Sequence, residues 1–242
     1  MTFKTALVSA AFSAAILLGG GAVAAPISPT FASFGTLAGA TFGGSGIPNT
    51  AVAIATSTGD LTLGLTAHQR LVGPNLANDG LGTFTAFTGV STGPPSSLAD
   101  PYATWNFGFY IGGLDISDLR FVLEYDFIAA AGNDASTHGT ISVAGIFVPT
   151  NPSQDSYNLG MDFLAATNPA LGIVAPGGIF NPNAVGEYTF RLTAFGGANN
   201  AIAAQTAIRV NVVDQQQVPE PASLALVGMA LLGAAAARRR VR

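Results

Sequence analysis

The sequence predicts an all-β protein, an antiparallel β-sandwich, on three observations. Apolar residues alternate with polar ones along several separate stretches, the period of a strand with one face in a core. Thirty glycines and fourteen prolines in 242 residues supply frequent turns. Lysine and glutamate, which favour helices, are scarce. An N-terminal signal helix and a C-terminal transmembrane helix are expected to flank the sandwich, as the two ends of the chain indicate below.

The strands follow in chain order. Ala51–Thr56 and Leu61–Ala67 bracket Ser57-Thr58-Gly59-Asp60, a hairpin turn by its chemistry. Trp105, Phe107, Phe109 and Ile111 alternate with smaller or polar residues and read as one core face. Phe121, Leu123, Tyr125 and Phe127 share a face opposite Val122, Glu124, Asp126 and Ile128. Ile141–Val148 comes next, then Tyr188, Phe190, Leu192 and Ala194, then Ile208, Val210 and Val212. Asn133-Asp134 and Gly196–Asn200 punctuate the later strands, while Gly93-Pro94-Pro95 and Thr150–Pro182 read as longer loops. Eight or more short strands make a sandwich, with a jelly roll as the alternative topology. The stretch Asn183–Phe190 resembles the tyrosine corner of immunoglobulin-like folds, with Tyr188 two residues before a position where Phe190 replaces cysteine. A tyrosine on an ordinary alternating strand reads equally well.

Charge narrows the function. Residues 25–217 hold four arginines (Arg70, Arg120, Arg191 and Arg209) against twelve acids, so this part carries 4 − 12 = −8. Phosphate neutralisation needs a basic patch, and nucleic acid is set aside as a partner. The chain has no cysteine, so thiol catalysis and Cys-ligated metal are excluded and the core stands without disulfides.

Both ends carry targeting signals. Lys4, the apolar run Ala6–Leu18 and the small residues up to Ala24 form a signal peptide, with cleavage placed after Ala24 rather than Ala25. The expected domains are thus 1–24 signal peptide, 25–217 exported sandwich and 218–242 sorting segment. In the tail, Val218-Pro219-Glu220-Pro221 precedes the apolar run Ala222–Ala237 and the basic cluster Arg238, Arg239, Arg240 and Arg242. Sixteen helical residues span about 24 Å against a hydrocarbon layer of roughly 30 Å, a shortfall that snorkelling arginines reduce. The arginines should stay cytoplasmic, which places the sandwich outside. These residues resemble the PEP-CTERM sorting signal of Gram-negative bacteria. The resemblance implies processing by an exosortase, anchoring at the inner membrane until then, and association with extracellular polysaccharide and biofilm. It concerns the tail alone.

No catalytic constellation is legible between the ends. His68 and His138 are the only histidines; His138 stands beside Asp134 in a polar turn, where a solvated side chain is expected. Asp115, Ser117 and Asp118, with Asn133 and Asp134, are candidates for a structural calcium but match no calcium-loop pattern. No other cofactor is expected. Alternation turns Trp105, Phe107 and Phe109 inward and leaves Tyr102 and Tyr110 facing out, where a ligand could stack. Phe42-Gly43-Gly44-Ser45-Gly46 lacks the strand-to-helix setting of a phosphate loop and reads as loop glycines. The sequence therefore points to a non-catalytic exported protein, a structural or interaction component of the surface or matrix. A carbohydrate-binding sandwich and an exported hydrolase are the alternatives.

Overall fold

The computed structural model describes residues 26–57, 60–71, 75–95, 101–114, 116–132, 135–142, 151–196 and 199–215. Among them, two sheets pack face to face. The first has five strands: β1 (Ser33–Gly35), β2 (Val52–Thr56), β3 (Thr62–Gln69), β6 (Trp105–Gly112) and β9 (Ser153–Tyr157), side by side in that order. The second has seven: β10 (Ile173–Val174), β8 (Gly139–Ser142), β7 (Arg120–Tyr125), β11 (Gly186–Gly196), β12 (Ala201–Val213), β5 (Thr83–Phe87) and β4 (Ala77–Asn78). A short helix, α1 (Asp162–Ala165), follows β9.

The predicted alternation builds the core between the sheets. Trp105, Phe107, Phe109 and Ile111 from β6 are buried, as are Phe121, Leu123 and Tyr125 from β7 and Tyr188, Phe190, Leu192 and Ala194 from β11. Phe107 of one sheet stacks on Phe190 of the other with ring centres 4.4 Å apart, and Trp105 meets Phe190 edge-on at 6.2 Å. Burying each such ring stabilises the fold by about 1.5–3 kcal/mol. Strands β2 and β3 pair antiparallel as expected, with Ala53 opposite Leu65 and Thr56 opposite Thr62, while Thr58 and Gly59 of the connecting turn fall outside the described residues.

The structure differs from the sequence reading in two respects. The second sheet is not purely antiparallel, because β5 joins β12 in parallel with Arg209 opposite Thr83 and Val213 opposite Phe87. The region 150–182 is not one loop: β9 adds to β6 as an edge strand, with Phe107 opposite Tyr157 and Gly108 opposite Ser156. A polar edge strand carries no apolar alternation to betray it. Of the expected strand Ile141–Val148, β8 covers Gly139–Ser142, and 143–150 fall outside the described residues.

The tyrosine-corner bond is present, since Tyr188 Oη donates to the Asn181 carbonyl seven residues upstream at 3.3 Å. The immunoglobulin strand arrangement is not. Trp105 and Tyr188 lie on strands of opposite sheets, whereas in immunoglobulin domains the equivalent tryptophan and tyrosine strands share one.

A second, smaller core covers the outer face of the five-stranded sheet. Segment 36–48 folds over it, so that Ala40, Phe42 and Val52 pack with Leu37, Ile47, Ile54 and Tyr110. Gly108 makes this approach feasible: a Cβ there would lie 3.0 Å from the Phe42 ring.

Candidate functional site

Three adjacent strands, β3, β6 and β9, present His68, Asn106 and Ser156 on the outer face of the five-stranded sheet. Since Phe107 and Tyr157 point into the core, their even-numbered neighbours must point out. Segment 42–48 walls one side of the resulting cleft of about 420 Å³, and Arg70, Leu71 and Met161 wall the other. The wall is tied to the floor through Gln154, whose Oε1 accepts the backbone N–H groups of Thr41 and Phe42 at 2.7 and 2.8 Å.

The floor is a hydrogen-bond chain with fixed polarity. Asn158, fully buried, accepts the Ala103 and Gly160 N–H groups through Oδ1 at 2.9 and 3.1 Å. Its Nδ2 faces the Ala103 and Trp105 carbonyls at 3.0 and 2.8 Å and Asn106 Oδ1 at 2.8 Å. Asn106 is thereby oriented with Nδ2 outward, donating to Ser156 Oγ at 3.1 Å. At the far end, His68 Nδ1 lies 2.9 Å from the Gln69 carbonyl, an acceptor only, so Nδ1 carries the proton. His68 Nε2, at 2.8 Å, is then left to accept the Ser156 hydroxyl. Burial lowers the His68 pKa, the bond to Gln69 opposing it more weakly, and holds the imidazole neutral at pH 7.

A serine hydroxyl donating to a neutral imidazole is one element of a nucleophile–base pair. Here a backbone carbonyl holds the imidazole where hydrolase triads use a carboxylate, and an amide donates onto the serine oxygen itself. What the floor offers outright is a rigid, uncharged set of donors and acceptors. Sequence reading missed it because the partners lie 88 and 50 residues apart and match no local motif.

The other expectations fare variously. His138 is not solvated: its side chain and that of Asp126 are both fully buried, Nε2 lies 3.7 Å from Asp126 Oδ2, and Thr189 Oγ1 approaches at 3.3 Å. Asp126 continues the outward alternation of β7, where His138 meets it, and the turn at Ala135–Thr137 that leads into His138 is held by the bond from Gly177 N to the Thr137 carbonyl. Tyr102 and Tyr110 are not free to stack on a ligand. Tyr102 is buried beneath the Arg70 guanidinium, 4.8 Å from its ring centre, and Tyr110 packs under segment 36–48. The glycines at 43–46 are loop glycines as expected, and they rim the cleft. Of the calcium candidates, Ser117 and Asp118 are exposed in a turn, while Asp115, Asn133 and Asp134 lie outside the described residues. Among the described residues no group of three or more histidines and acids is placed to hold a metal, and no helix is long and apolar enough to cross a membrane. Ala24, Ala25, Val218–Pro221 and the arginines at 238, 239, 240 and 242 also lie outside them.

Comparison with known proteins bears on the tail. Residues 217–240 match the model of the PEP-CTERM protein-sorting motif. No curated protein and no solved structure matches the chain. The match spans Val218-Pro219-Glu220-Pro221, the apolar run and Arg238–Arg240, the residues on which the resemblance rested. The tail of this chain is a PEP-CTERM sorting signal, which marks an exported surface protein processed by an exosortase.

Proposed function

We propose that the sandwich is a non-catalytic structural or interaction component of the cell surface or exopolysaccharide matrix, held at the inner membrane by its apolar tail until the exosortase acts. The observation that carries this reading is the placement of the sorting motif. It begins at residue 217, four residues after β12, the last strand, ends at Val213, so the signal is appended after the last strand of the sandwich. In a host with the sorting machinery, deletion of residues 218–242 should release the sandwich from the envelope fraction. Unchanged localisation of the deleted form would refute the reading.

The cleft supports a second reading, a carbohydrate-binding sandwich. Its floor of Asn106, Ser156 and neutral His68 supplies uncharged donors and acceptors held in fixed orientation, the means by which a neutral hydroxyl-rich ligand is recognised. A glycan array probed with and without calcium tests it; binding lost in Asn106→Ala is the expected result, and no binding in either condition removes the reading.

A further inference from the structure

We infer that the end of the sandwich from which the sorting tail departs is built to rest on the outer surface of the bilayer before processing. The inference rests on the reading that the tail inserts into the membrane. Val213, the last residue of β12, is register partner to Phe87, the last residue of β5, and both are more than a third exposed. The chain beyond β5 turns beside them, with Thr88 N donating to the Val213 carbonyl and Gly89 N to the Pro182 carbonyl. That turn brings exposed Val90 and, from the segment leading into β11, exposed Val185 to the same end. Phe87 and Val90 also line a cleft of about 330 Å³ with Leu71, Leu76 and Gln215, so the departing chain borders the apolar patch.

Chain reach limits how far this end can stand from lipid. Ala222, where the apolar run of the tail begins, is seven residues on from Gln215, a span of about 25 Å at full extension. Ile202, near the other end of β12, is eleven residues from Val213, or about 36 Å along the strand. A tethered sandwich therefore keeps the Val213 end close to the headgroups, and exposed apolar side chains there gain by entering the interface. The acid at this end must stay in water when the apolar side chains enter the interface. Asp214 is exposed to water, and Arg70 is engaged by Ser91 Oγ and the Gly93 and Pro94 carbonyls.

Trp105 is the only tryptophan and is buried, so introduced tryptophans can be read against a constant background. The full chain would be reconstituted in vesicles of phosphatidylethanolamine and phosphatidylglycerol with brominated acyl chains. Phe87→Trp and Val90→Trp are compared with Ile202→Trp, and the Trp105 emission maximum reports that each variant is folded. The expected result is added emission quenched at least about twofold at positions 87 and 90 but unquenched at 202, since only side chains that enter the headgroup–acyl boundary come near the bromines. Equal quenching at the two ends, in a chain that floats with the vesicles, overturns the inference and leaves tail insertion standing. Failure of the full chain to float overturns tail insertion and the inference with it.

Discussion

Asn158→Asp should destabilise the sandwich far more than its near-identical shape suggests. The native amide fills a buried position in which Nδ2 shares its two N–H groups among three oxygens: the Ala103 and Trp105 carbonyls and Asn106 Oδ1. The substitution turns that donor into a fourth oxygen. Two of these contacts, to Trp105 and Asn106, are at 2.8 Å, and each acceptor left unsatisfied in the interior costs about 1–3 kcal/mol. Oδ1 keeps its bonds from Ala103 N and Gly160 N, so the loss falls on the donor side, where the new carboxyl group must be protonated to donate even one bond. A total of about 3 kcal/mol is expected, equivalent to a fall in Tm of roughly 6–12 °C for a domain of this size. Urea unfolding followed by Trp105 emission is a direct assay, since the Trp105 carbonyl is one of the orphaned partners. The midpoint should fall with little change in slope. A loss below about 0.5 kcal/mol would mean that the three oxygens find other donors, and the amide would not be the keystone of the cleft floor.

Two further substitutions probe the same cleft. His68→Gln should alter how stability depends on pH: the folded-state pKa of His68 is depressed, so its contribution is present above the ordinary histidine value near 6.5 and is lost as pH falls from there through the lower folded-state value. The difference in Tm between wild type and variant should therefore shift between pH 7.5 and pH 5, and a difference that stays constant would refute a buried neutral imidazole. Gly43 has φ +75° and an added Cβ would lie 2.7 Å from Asp155 Oδ1, whereas Gly46 has φ +83° and open space around it. Gly43→Ala should thus lower stability by about 1–3 kcal/mol and Gly46→Ala by the backbone part of that alone, as urea midpoints will tell.

Where burial alone decides a strand, the sequence declares it. Phe107, Leu123, Phe190 and Val210 each sit on a stretch whose alternation marks a core face, and all four are buried. What sequence could not declare depends on partners distant in the chain. The parallel pairing of β5 with β12 joins segments more than a hundred residues apart, and nothing in Thr83–Phe87 names its neighbour. Strand β9 reads Ser-Gln-Asp-Ser-Tyr: Gln154 and Ser156 serve segment 36–48 and the cleft, and Tyr157 alone carries a large apolar side chain to the core. One signal was there to be used. Gly64 and Gly108 interrupt strands otherwise filled by large residues, and such gaps mark a place where another part of the chain lies on the sheet. Here it is segment 36–48, and the cleft opens at its edge.

The disposition of the four arginines restricts what can occupy that cleft. Arg191 is paired with Glu124 across β11 and β7, and Arg209 with Glu187 across β12 and β11. Arg120 lies over the Phe195 ring, and Arg70 is held by Tyr102 and two carbonyls. Every arginine of the sandwich is thus engaged within it, while Asp155 stands in the cleft wall. A polyanion approaching this surface would meet the field of an acid-rich domain with its cations already committed. A neutral ligand of the kind proposed above would be held by the neutral bonds of the floor, and its affinity should vary little with ionic strength, since screening acts on charges and not on amide and hydroxyl contacts.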